Sequence, residues 1–232
     1  MKAGSDNIVY YNAIANEYND MLDKNPDRII REKVASTFCS IVKGAVVLDF
    51  GGGTGLDLRW LSDKNHAIYF CEPSAGMRET AIRNCAGLLH NVIFLDDLSS
   101  DFRQWHLHRP LPVNVDAVLS NFAVLNCIPD IAVLFQNLAT VVKPGGDFMA
   151  LVLTKSLKKM LSRNLYSTVK SFIHNTPASI NIRYKKHRQT VYIHSIKEII
   201  KASQNYFNFC SNEVLHTAGF TLIHLKRNEK LI

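Results

Sequence analysis

Through the middle of the chain, short apolar runs rich in β-branched residues alternate with segments whose apolar positions recur at helical spacing. The apolar runs are Ala45–Phe50, Ala67–Cys71, Val92–Leu95, Val115–Ser120 and Phe148–Leu153. The helical segments between them are Leu56–Asp63, Ala75–Cys85 and Ile131–Val142. Continuously apolar strands that alternate with helices are typical of a parallel sheet covered on both faces. Right-handed crossovers then bring the carboxyl ends of the strands to one edge of the sheet, where ligands bind.

The two flanks of this alternating region have patterns of their own. Two helical segments, Ala13–Asp23 and Ile29–Val42, precede the first strand. The last third is predicted to contain a basic helix, a β-rich segment, a further helix and a last strand, at Ser156–His174, Ile180–His194, Ile196–Gln204 and Phe220–Leu225. The order predicts one α/β domain, in which residues 1–44 form a helical lid, 45–154 the ligand-binding core, and 155–232 a basic insert with the last strands.

Composition narrows the class of protein. With 232 residues, 47% of them hydrophobic, the chain can bury a full core, which excludes a disordered protein. No apolar run approaches the ~20 residues of a membrane-spanning helix, and the N-terminus has no apolar leader. The five cysteines form no Cys-x-x-Cys pair, and His106 and His108 lack the further ligands of a metal site. We therefore expect a cytoplasmic protein with reduced thiols, no membrane association and no metal.

The net charge of +7 is concentrated in the last third of the chain. Residues 1–154 carry 13 Lys and Arg against 17 Asp and Glu, whereas residues 155–232 carry 14 against 3. A basic region of this kind indicates an acidic ligand or a polyanion as partner, or else a solvated face with no partner.

The stretch VVLDFGGGTG, Val46 to Gly55, places a glycine-rich loop directly after the first apolar run. Dinucleotide folds need Gly-x-Gly-x-x-Gly, but Leu56 occupies the last position of that pattern, and the Gly-Lys-Ser/Thr of a phosphate loop is absent. Asp49, at the end of the strand, would repel a pyrophosphate but attract an ammonium or sulfonium group. The N-terminus of the following helix can hold a carboxylate. An amino-acid tail beside a cationic centre satisfies both ends, and S-adenosylmethionine has this structure.

Acidic residues also end the next two strands. Glu72 lies 21 residues beyond the first glycine of the loop, where a carboxylate can accept hydrogen bonds from both ribose hydroxyls. Asp96 and Asp97 follow the third strand, and one of them, with the backbone N–H of Leu98, can bind the edge of adenine. Acids at three successive strand ends therefore predict a site for an adenosine that carries a positive charge.

Four stretches give the chain a resemblance to class I S-adenosylmethionine-dependent methyltransferases. They are VLDFGGGTG, YFCEPSAGM, FLDDL, and the segment from DAVLSNFAVLNCIPD to VKPGGDFMALV. The opening YYNAIANEYNDML is also similar to the Tyr-x-x-x-Ala-x-x-Tyr start of the small-molecule branch of this family. The resemblance covers about residues 8–154. It implies a Rossmann-like, doubly wound, mostly parallel seven-stranded sheet with helices on both faces, and S-adenosylmethionine as cofactor.

The resemblance also implies roles for individual residues. Those expected along the methionine part are Asp49, Gly51 and Gly53, with Thr54 and Gly55 at the start of the helix. Those expected at the adenosine are Glu72 for the ribose, Pro73 and Met77 beside the adenine ring, and Asp96 or Asp97 with Leu98 at its edge. Those expected at the transferred methyl group or above the cofactor are Asn121, Phe122, Tyr11 and Tyr18. For the two tyrosines, which are seven residues apart, a core-facing helical stripe is the alternative interpretation.

The acceptor is less well defined than the cofactor. The segment Ser120–Ala123 lacks the prolines of many base-N-methylating enzymes, and Cys127 lacks the Pro-Cys context of pyrimidine C5 modifiers. A small organic acceptor, methylated on O, N or C, is therefore the main hypothesis, with acidic and carrier-bound molecules among the options. Methyl transfer to a carboxylate or free amine needs no general base, and none is assigned. The alternatives are RNA methylation or RNA binding through KSLKKMLSRN and RYKKHR, and an inactive partner subunit.

Overall fold

The computed structural model describes residues 3–22, 25–43, 45–64, 66–87, 89–154, 178–215 and 219–229. The basic helix predicted at Ser156–His174 lies outside these ranges. Within them, a seven-stranded sheet and a separate two-stranded hairpin carry the fold.

The elements of the alternating region agree closely with the predicted ones, apart from an earlier start of the fifth strand. The helices are α1 (Ala3–Ile14), α2 (Tyr18–Leu22), α3 (Asn25–Ile41), α4 (Leu58–Asp63), α5 (Ala75–Asn84), α6 (Asp97–Ser100), α7 (Ile131–Val141) and α8 (Ile196–Ser203). The strands are β1 (Val46–Phe50), β2 (Ala67–Cys71), β3 (Val92–Phe94), β4 (Val115–Ser120), β5 (Val142–Leu153), β6 (Ala178–Tyr184), β7 (His187–Ile193), β8 (Phe207–Leu215) and β9 (Phe220–Arg227). Of the helices that the structure describes, none has the length and apolar character needed to cross a membrane.

The large sheet has the strand order β3-β2-β1-β4-β5-β9-β8. The first five of these strands run parallel, and β9 pairs antiparallel with both β5 and β8. This confirms the predicted Rossmann-like, mostly parallel seven-stranded sheet. The chain moves outward from β1 to β3 and then returns to β4 on the other side of β1. The carboxyl ends of β1 and β4 therefore border the point where strand order reverses, which is where open α/β sheets bind ligands.

Both faces of the central strands are buried. On one face, Leu48 of β1 and Phe148 of β5 belong to the same core as Leu134 of α7 and Ile199 of α8. On the other face, Val47 of β1 belongs to a core shared with α3, α4 and α5. Because helices cover both faces, the central strands are apolar at successive positions and not only at alternate ones.

The N-terminal helices differ from the prediction. The sequence predicts a helix at Ala13–Asp23, but α1 ends at Ile14, and α2 begins only at Tyr18, after a turn. The predicted boundaries are wrong here, and α1 buries one polar side chain, which interrupts the apolar pattern that would mark its early turns. That side chain is Asn7, which is 4% exposed and hydrogen-bonds to the backbone of Thr190 in β7.

The last third has one strand that the pattern does not predict and one hairpin that it does. β8 lies at the edge of the sheet and has mostly exposed side chains, so its sequence lacks the apolar signal of a buried strand. The predicted β-rich segment is the antiparallel pair β6–β7. Asn126, after β4, donates to the carbonyl of Tyr192 in β7 at 2.7 Å and accepts from the N–H of Leu153 in β5 at 2.8 Å. The hairpin is thereby attached to the carboxyl edge of the large sheet.

Candidate functional site

The loop after β1 turns tightly over the end of β2. The N–H groups of Gly51 and Gly52 donate to the carbonyl oxygen of Cys71, at 2.8 and 3.2 Å. Gly51 and Gly53 have φ angles of 75° and 60°, which residues with a side chain rarely adopt. A Cβ on Gly52 would lie 2.2 Å from the ring of Phe70. The glycines are therefore required both by the backbone conformation and by close packing on β2.

A cavity of about 790 Å³ opens beside this loop. Its walls come from the ends of β1 and β2, from the residues that follow β4, and from the lid helices α1 and α2 through Tyr11 and Tyr18. The volume lies within the roughly 300–1,000 Å³ of pockets that bind small ligands. The cavity therefore occupies the edge of the sheet that the topology assigns to a ligand.

Glu72 directly follows β2 and lines the cavity. Its two carboxylate oxygens accept hydrogen bonds from the N–H of Gly53 at 2.9 Å and from the N–H of Ser74 at 2.8 Å. Burial raises the pKa of Glu72 to about 7, against the lowering effect of these two hydrogen bonds and of the Arg78 charge. Each oxygen keeps a further lone pair, so a fixed carboxylate can accept two more hydrogen bonds from a ligand.

Asp49 lies behind the glycine loop and not on the cavity lining. It is 1% exposed, and its Oδ2 atom has no hydrogen-bond partner in the part of the chain that the structure describes. Burial raises the pKa of Asp49 well above its usual range, and the charges of Asp57 and Glu72 raise it further, while Arg31 opposes them. Burial and the neighbouring acids therefore disfavour the ionised form of Asp49, and a positive charge nearby would favour it.

Asp57, at the start of α4, connects three side chains around the cavity. Its Oδ1 atom accepts from the indole N–H of Trp60 at 2.9 Å and pairs with the guanidinium of Arg31 at 2.7 Å. Its Oδ2 atom accepts from the side-chain amide of Asn121 at 2.9 Å. The Arg31 guanidinium also lies 4.4 Å from the ring centre of Phe122. This network fixes a cation from α3 beside the glycine loop.

The chain after β4 has an uncommon backbone conformation. Phe122 and Ala123 have φ angles of 50° and 65°, although neither residue is glycine. The side-chain oxygen of Asn121 accepts from the N–H of Phe122 at 3.0 Å, and Ala123 donates to the carbonyl of Leu151 at 2.8 Å. These bonds offset the strain and hold Asn121 and Phe122 on the cavity wall.

The lid helices are tied to the loops that follow β1 and β2. The side-chain oxygen of Asn12 in α1 accepts from the hydroxyl of Ser74 at 2.8 Å and from the N–H of Gly76 at 2.9 Å. The side chain of Asn19 in α2 accepts from the hydroxyl of Thr54. The lid is therefore positioned by the same loops that form the floor of the cavity.

Tyr11 and Tyr18 extend from the lid to the cavity lining, with ring centres 6.1 Å apart. They also pack on the small apolar cluster between α1 and α5, so the two interpretations of this pair are compatible. Burial raises the pKa of both hydroxyls well above their usual range, so both keep their protons at neutral pH.

The two acids after β3 have different positions. Asp96 caps α6 and accepts from the N–H of Ser99 at 2.7 Å, and it does not line the cavity. Asp97 lines the cavity and forms an ion pair with Arg78. Leu98 is 51% exposed and lies off the lining. Asp97 is thus the acid of this pair that lies on the cavity lining.

Most of the predicted site residues meet at this one cavity. Those on its lining are Gly51, Gly53, Thr54, Glu72, Pro73, Met77, Asp97, Asn121, Phe122, Tyr11 and Tyr18. Those off the lining are Asp49, Gly55, Asp96 and Leu98. Gly55 is favoured by its φ angle of 79° and by tight helix packing, because a Cβ there would lie 3.0 Å from that of Ala81 in α5.

Sequence reasoning missed Arg31, Asp57 and Cys127, which also line the cavity. An acid two residues after the last glycine of the loop is a weak signal for Asp57. Arg31 has no local signal, because its partners come from α4 and from the end of β4. For Cys127 the sequence context bears only on a role as nucleophile. In the structure its carbonyl oxygen and its sulfur both contact side chains of α1.

Comparison with known proteins identifies the class. A family model described as a methyltransferase domain matches residues 21–206. The chain therefore belongs to the methyltransferase domain family, which confirms the predicted class of S-adenosylmethionine-dependent methyltransferase.

Curated relatives match only part of this chain. The tRNA 5-carboxymethoxyuridine methyltransferase of Escherichia coli K12 is 32% identical over 102 residues, which is 43% of this chain and 37% of that enzyme. The match thus spans little more than a third of the relative's length.

Solved structures share the fold over nearly the whole chain. A structure described as a DhpI-SAM-HEP complex has 20% identity and a TM-score of 0.71, over 96% of each chain. The 1,6-didemethyltoxoflavin-N1-methyltransferase of Burkholderia thailandensis has 14% identity and a TM-score of 0.64, over 95% of this chain and 88% of that one. Because the sequence identities are this low, the similarity to these structures establishes a shared fold only.

Proposed function

We propose that the protein binds S-adenosylmethionine in this cavity and transfers its methyl group to a small organic acceptor. The observation that carries the proposal is a pair of buried carboxylates at the ends of neighbouring strands, Asp49 of β1 and Glu72 after β2. Burial raises the pKa of both groups. An adenosine with a cationic centre supplies the hydroxyl donors and the positive charge that this pair lacks.

The residues on the lining fit such a cofactor. Glu72 would accept hydrogen bonds from the two ribose hydroxyls on its remaining lone pairs. Pro73 and Asp97 would lie at the adenine. At Gly53 the nearest atom to an added Cβ is 3.9 Å away, on Tyr18, so the loop leaves space on its cavity side for the methionine part.

Arg31 is the proposed partner of the cofactor's carboxylate. The contacts described for it use its Nη1 atom, on Asp57, and one face of the guanidinium, on the ring of Phe122. Its other N–H donors remain for a ligand beside the glycine loop. From the sequence, the N-terminus of the helix after the glycine loop is the expected partner of this carboxylate. Because that helix, α4, has only six residues, the fixed guanidinium of Arg31 is the stronger partner.

When bound, S-adenosylmethionine supplies a methyl group on a sulfonium whose positive charge is lost as the methyl leaves. The contribution of the chain is to hold the reactants in line and to exclude water. Tyr11, Tyr18 and Phe122 provide aromatic walls on this side of the cavity, and α1 and α2 cover it. Asn121, held by Asp57, keeps the chain after β4 in the conformation that completes the wall.

The described lining favours an acceptor whose proton the enzyme need not remove. It contains no histidine, and each of its five carboxylates already has protein partners. Burial raises the pKa of Tyr11, Tyr18 and Cys127, so these groups are poor bases. Glu72, whose pKa lies near neutrality, is assigned to the ribose. A carboxylate or a free amine can attack the methyl group without a base.

Methylation of RNA is the second candidate. One supporting observation is the partial match to a tRNA methyltransferase. The other is the tip of the β6–β7 hairpin, which exposes Arg183, Lys185, Lys186 and Arg188. One of these cations is already paired, because Lys185 lies 2.6 Å from Glu17 of the lid.

The two candidates are separated by incubating the protein with methyl-labelled cofactor and either a nuclease-treated metabolite extract or total tRNA. We expect label in a small molecule of the extract, and mild alkali would release it from an ester but not from an amine. Label that enters tRNA alone would contradict the small-molecule proposal.

We expect the affinity for S-adenosylhomocysteine to rise about tenfold between pH 6 and pH 8. The folded-state pKa of Glu72, about 7, lies above its usual value of 4.5, so acid protonates the acceptor of the ribose hydroxyls. Glu72→Gln should bind more weakly and lose this part of the pH dependence. Isothermal titration calorimetry measures both effects. The control is Glu79→Gln at an exposed position of α5, which should keep the full rise of affinity with pH. If Glu72→Gln kept the same pH dependence as the parent, the assignment of Glu72 to the ribose would be excluded.

We expect Arg31→Gln to lower the affinity for S-adenosylhomocysteine by about tenfold or more, because a charge-assisted hydrogen bond is lost. Affinity for 5′-methylthioadenosine, which lacks the amino-acid part, should change by less than about twofold. Arg103→Gln, on the lining but paired with Asp101, is the control and should affect the two ligands equally. Equal losses for both ligands in Arg31→Gln would argue against a contact with the carboxylate.

A further inference from the structure

Gln189 of β7 reaches the lid at Tyr11. Its side-chain amide donates to the hydroxyl of Tyr11 at 2.5 Å and lies 3.5 Å from the sulfur of Cys127. The hydroxyl of Tyr11 lies 3.5 Å from the same sulfur. Tyr11 and Cys127 line the cavity, whereas Gln189 is 7% exposed and stands behind them. The second strand of the hairpin, β7, is thus in direct contact with Tyr11, a residue of the site predicted to bind the methyl donor.

The direction of this hydrogen bond determines what Tyr11 can offer to a ligand. A side-chain amide N–H only donates, so the oxygen of Tyr11 accepts. Burial raises the pKa of Tyr11 well above its usual range, and Cys127 adds to the effect, so the hydroxyl keeps its own proton. The hydroxyl can therefore donate a hydrogen bond either to the Cys127 sulfur, which is a weak acceptor, or to a better acceptor in the cavity.

A second set of bonds fixes Gln189 in this place. Asn7 of α1 holds both backbone groups of the next residue, Thr190, because its amide donates to the carbonyl at 3.0 Å and its oxygen accepts from the N–H at 2.9 Å. The same amide donates to the carbonyl of Cys127 at 3.2 Å. The lid, β7 and the chain after β4 therefore meet at one hydrogen-bonded point.

We propose that Gln189 is a positioning residue for the methyl-donor site: it orients the hydroxyl of Tyr11 so that Tyr11 donates a hydrogen bond to the bound methyl donor and keeps its proton. This inference rests on the proposed function, because it requires the donor to bind beside Tyr11. The sequence associates the β6–β7 hairpin only with a methyl acceptor or with RNA. The inference adds that the hairpin helps to bind the methyl donor.

A double-mutant cycle on S-adenosylhomocysteine affinity, measured by calorimetry, tests the proposal. Gln189→Met keeps the length of the side chain but removes its donor, and we expect it to lower affinity about three- to tenfold. Tyr11→Phe should have a similar effect. In the Tyr11→Phe background, Gln189→Met should cause no further loss, because the bond is already absent. Gln136→Met, at an exposed position of α7, is the matched control and should leave affinity unchanged.

A second variant reverses the polarity of the bond. The carboxylate of Gln189→Glu would accept a hydrogen bond from the hydroxyl of Tyr11 and so compete with the ligand for that hydrogen bond. The Gln189→Glu variant should therefore lose more affinity than Gln189→Met. This variant also serves if Gln189→Met fails to fold. Parental affinity in Gln189→Glu or Gln189→Met, or additive effects in the cycle, would overturn the inference. Failure of the parent protein itself to bind S-adenosylhomocysteine would instead overturn the proposed function.

Discussion

Two buried carboxyl groups, whose ionised forms are disfavoured by burial, are the constraint on which the rest of this structure depends. Asp49 and Glu72 end neighbouring parallel strands, and the pairing of β1 with β2 brings them to the same edge of the sheet, beside the reversal of strand order. Between them runs a loop that needs glycine, because a Cβ on Gly52 would lie 2.7 Å from the Oδ2 atom of Asp49. The cost of burying these carboxylates is present in the free protein. In the proposed function a cationic adenosine would reduce this cost, so the arrangement would favour the ligand-bound state over the ligand-free state.

The cavity is assembled from segments that are far apart in the sequence. Asn7 joins the first helix to β7, and Asn126 joins β7 to the end of β5. Glu17 of the lid bonds the hydroxyl of Tyr184 at 2.8 Å. The described part of the last third is therefore joined by hydrogen bonds to the elements that form the cavity. Lys186 and Arg188 at the tip of the hairpin are exposed and take no part in these contacts.

The core of the fold and the centre of the site could be predicted because their signals are local. Buried parallel strands are apolar at successive positions, and the carboxylates at their ends stand next to those strands in the sequence. The Arg31–Asp57 pair could not be found in this way, because it forms only when α3 packs on α4. Asp96 and Asp97 were indistinguishable until the start of α6 made Asp96 a cap. A pattern based on burial does not find the exposed edge strand β8, and it does not expect the buried polar side chain of Asn7 in α1.

Replacing Asp49 by asparagine tests the central claim most directly, because the change removes a charge and keeps the shape. The account predicts that the ligand-free protein keeps or gains resistance to urea, since an ionisable group whose charged form is disfavoured by burial is removed. It also predicts that affinity for S-adenosylmethionine falls about tenfold or more, and that affinity for the uncharged thioether S-adenosylhomocysteine falls less. A folded Asp49→Asn protein that binds S-adenosylmethionine as tightly as the parent would contradict the account.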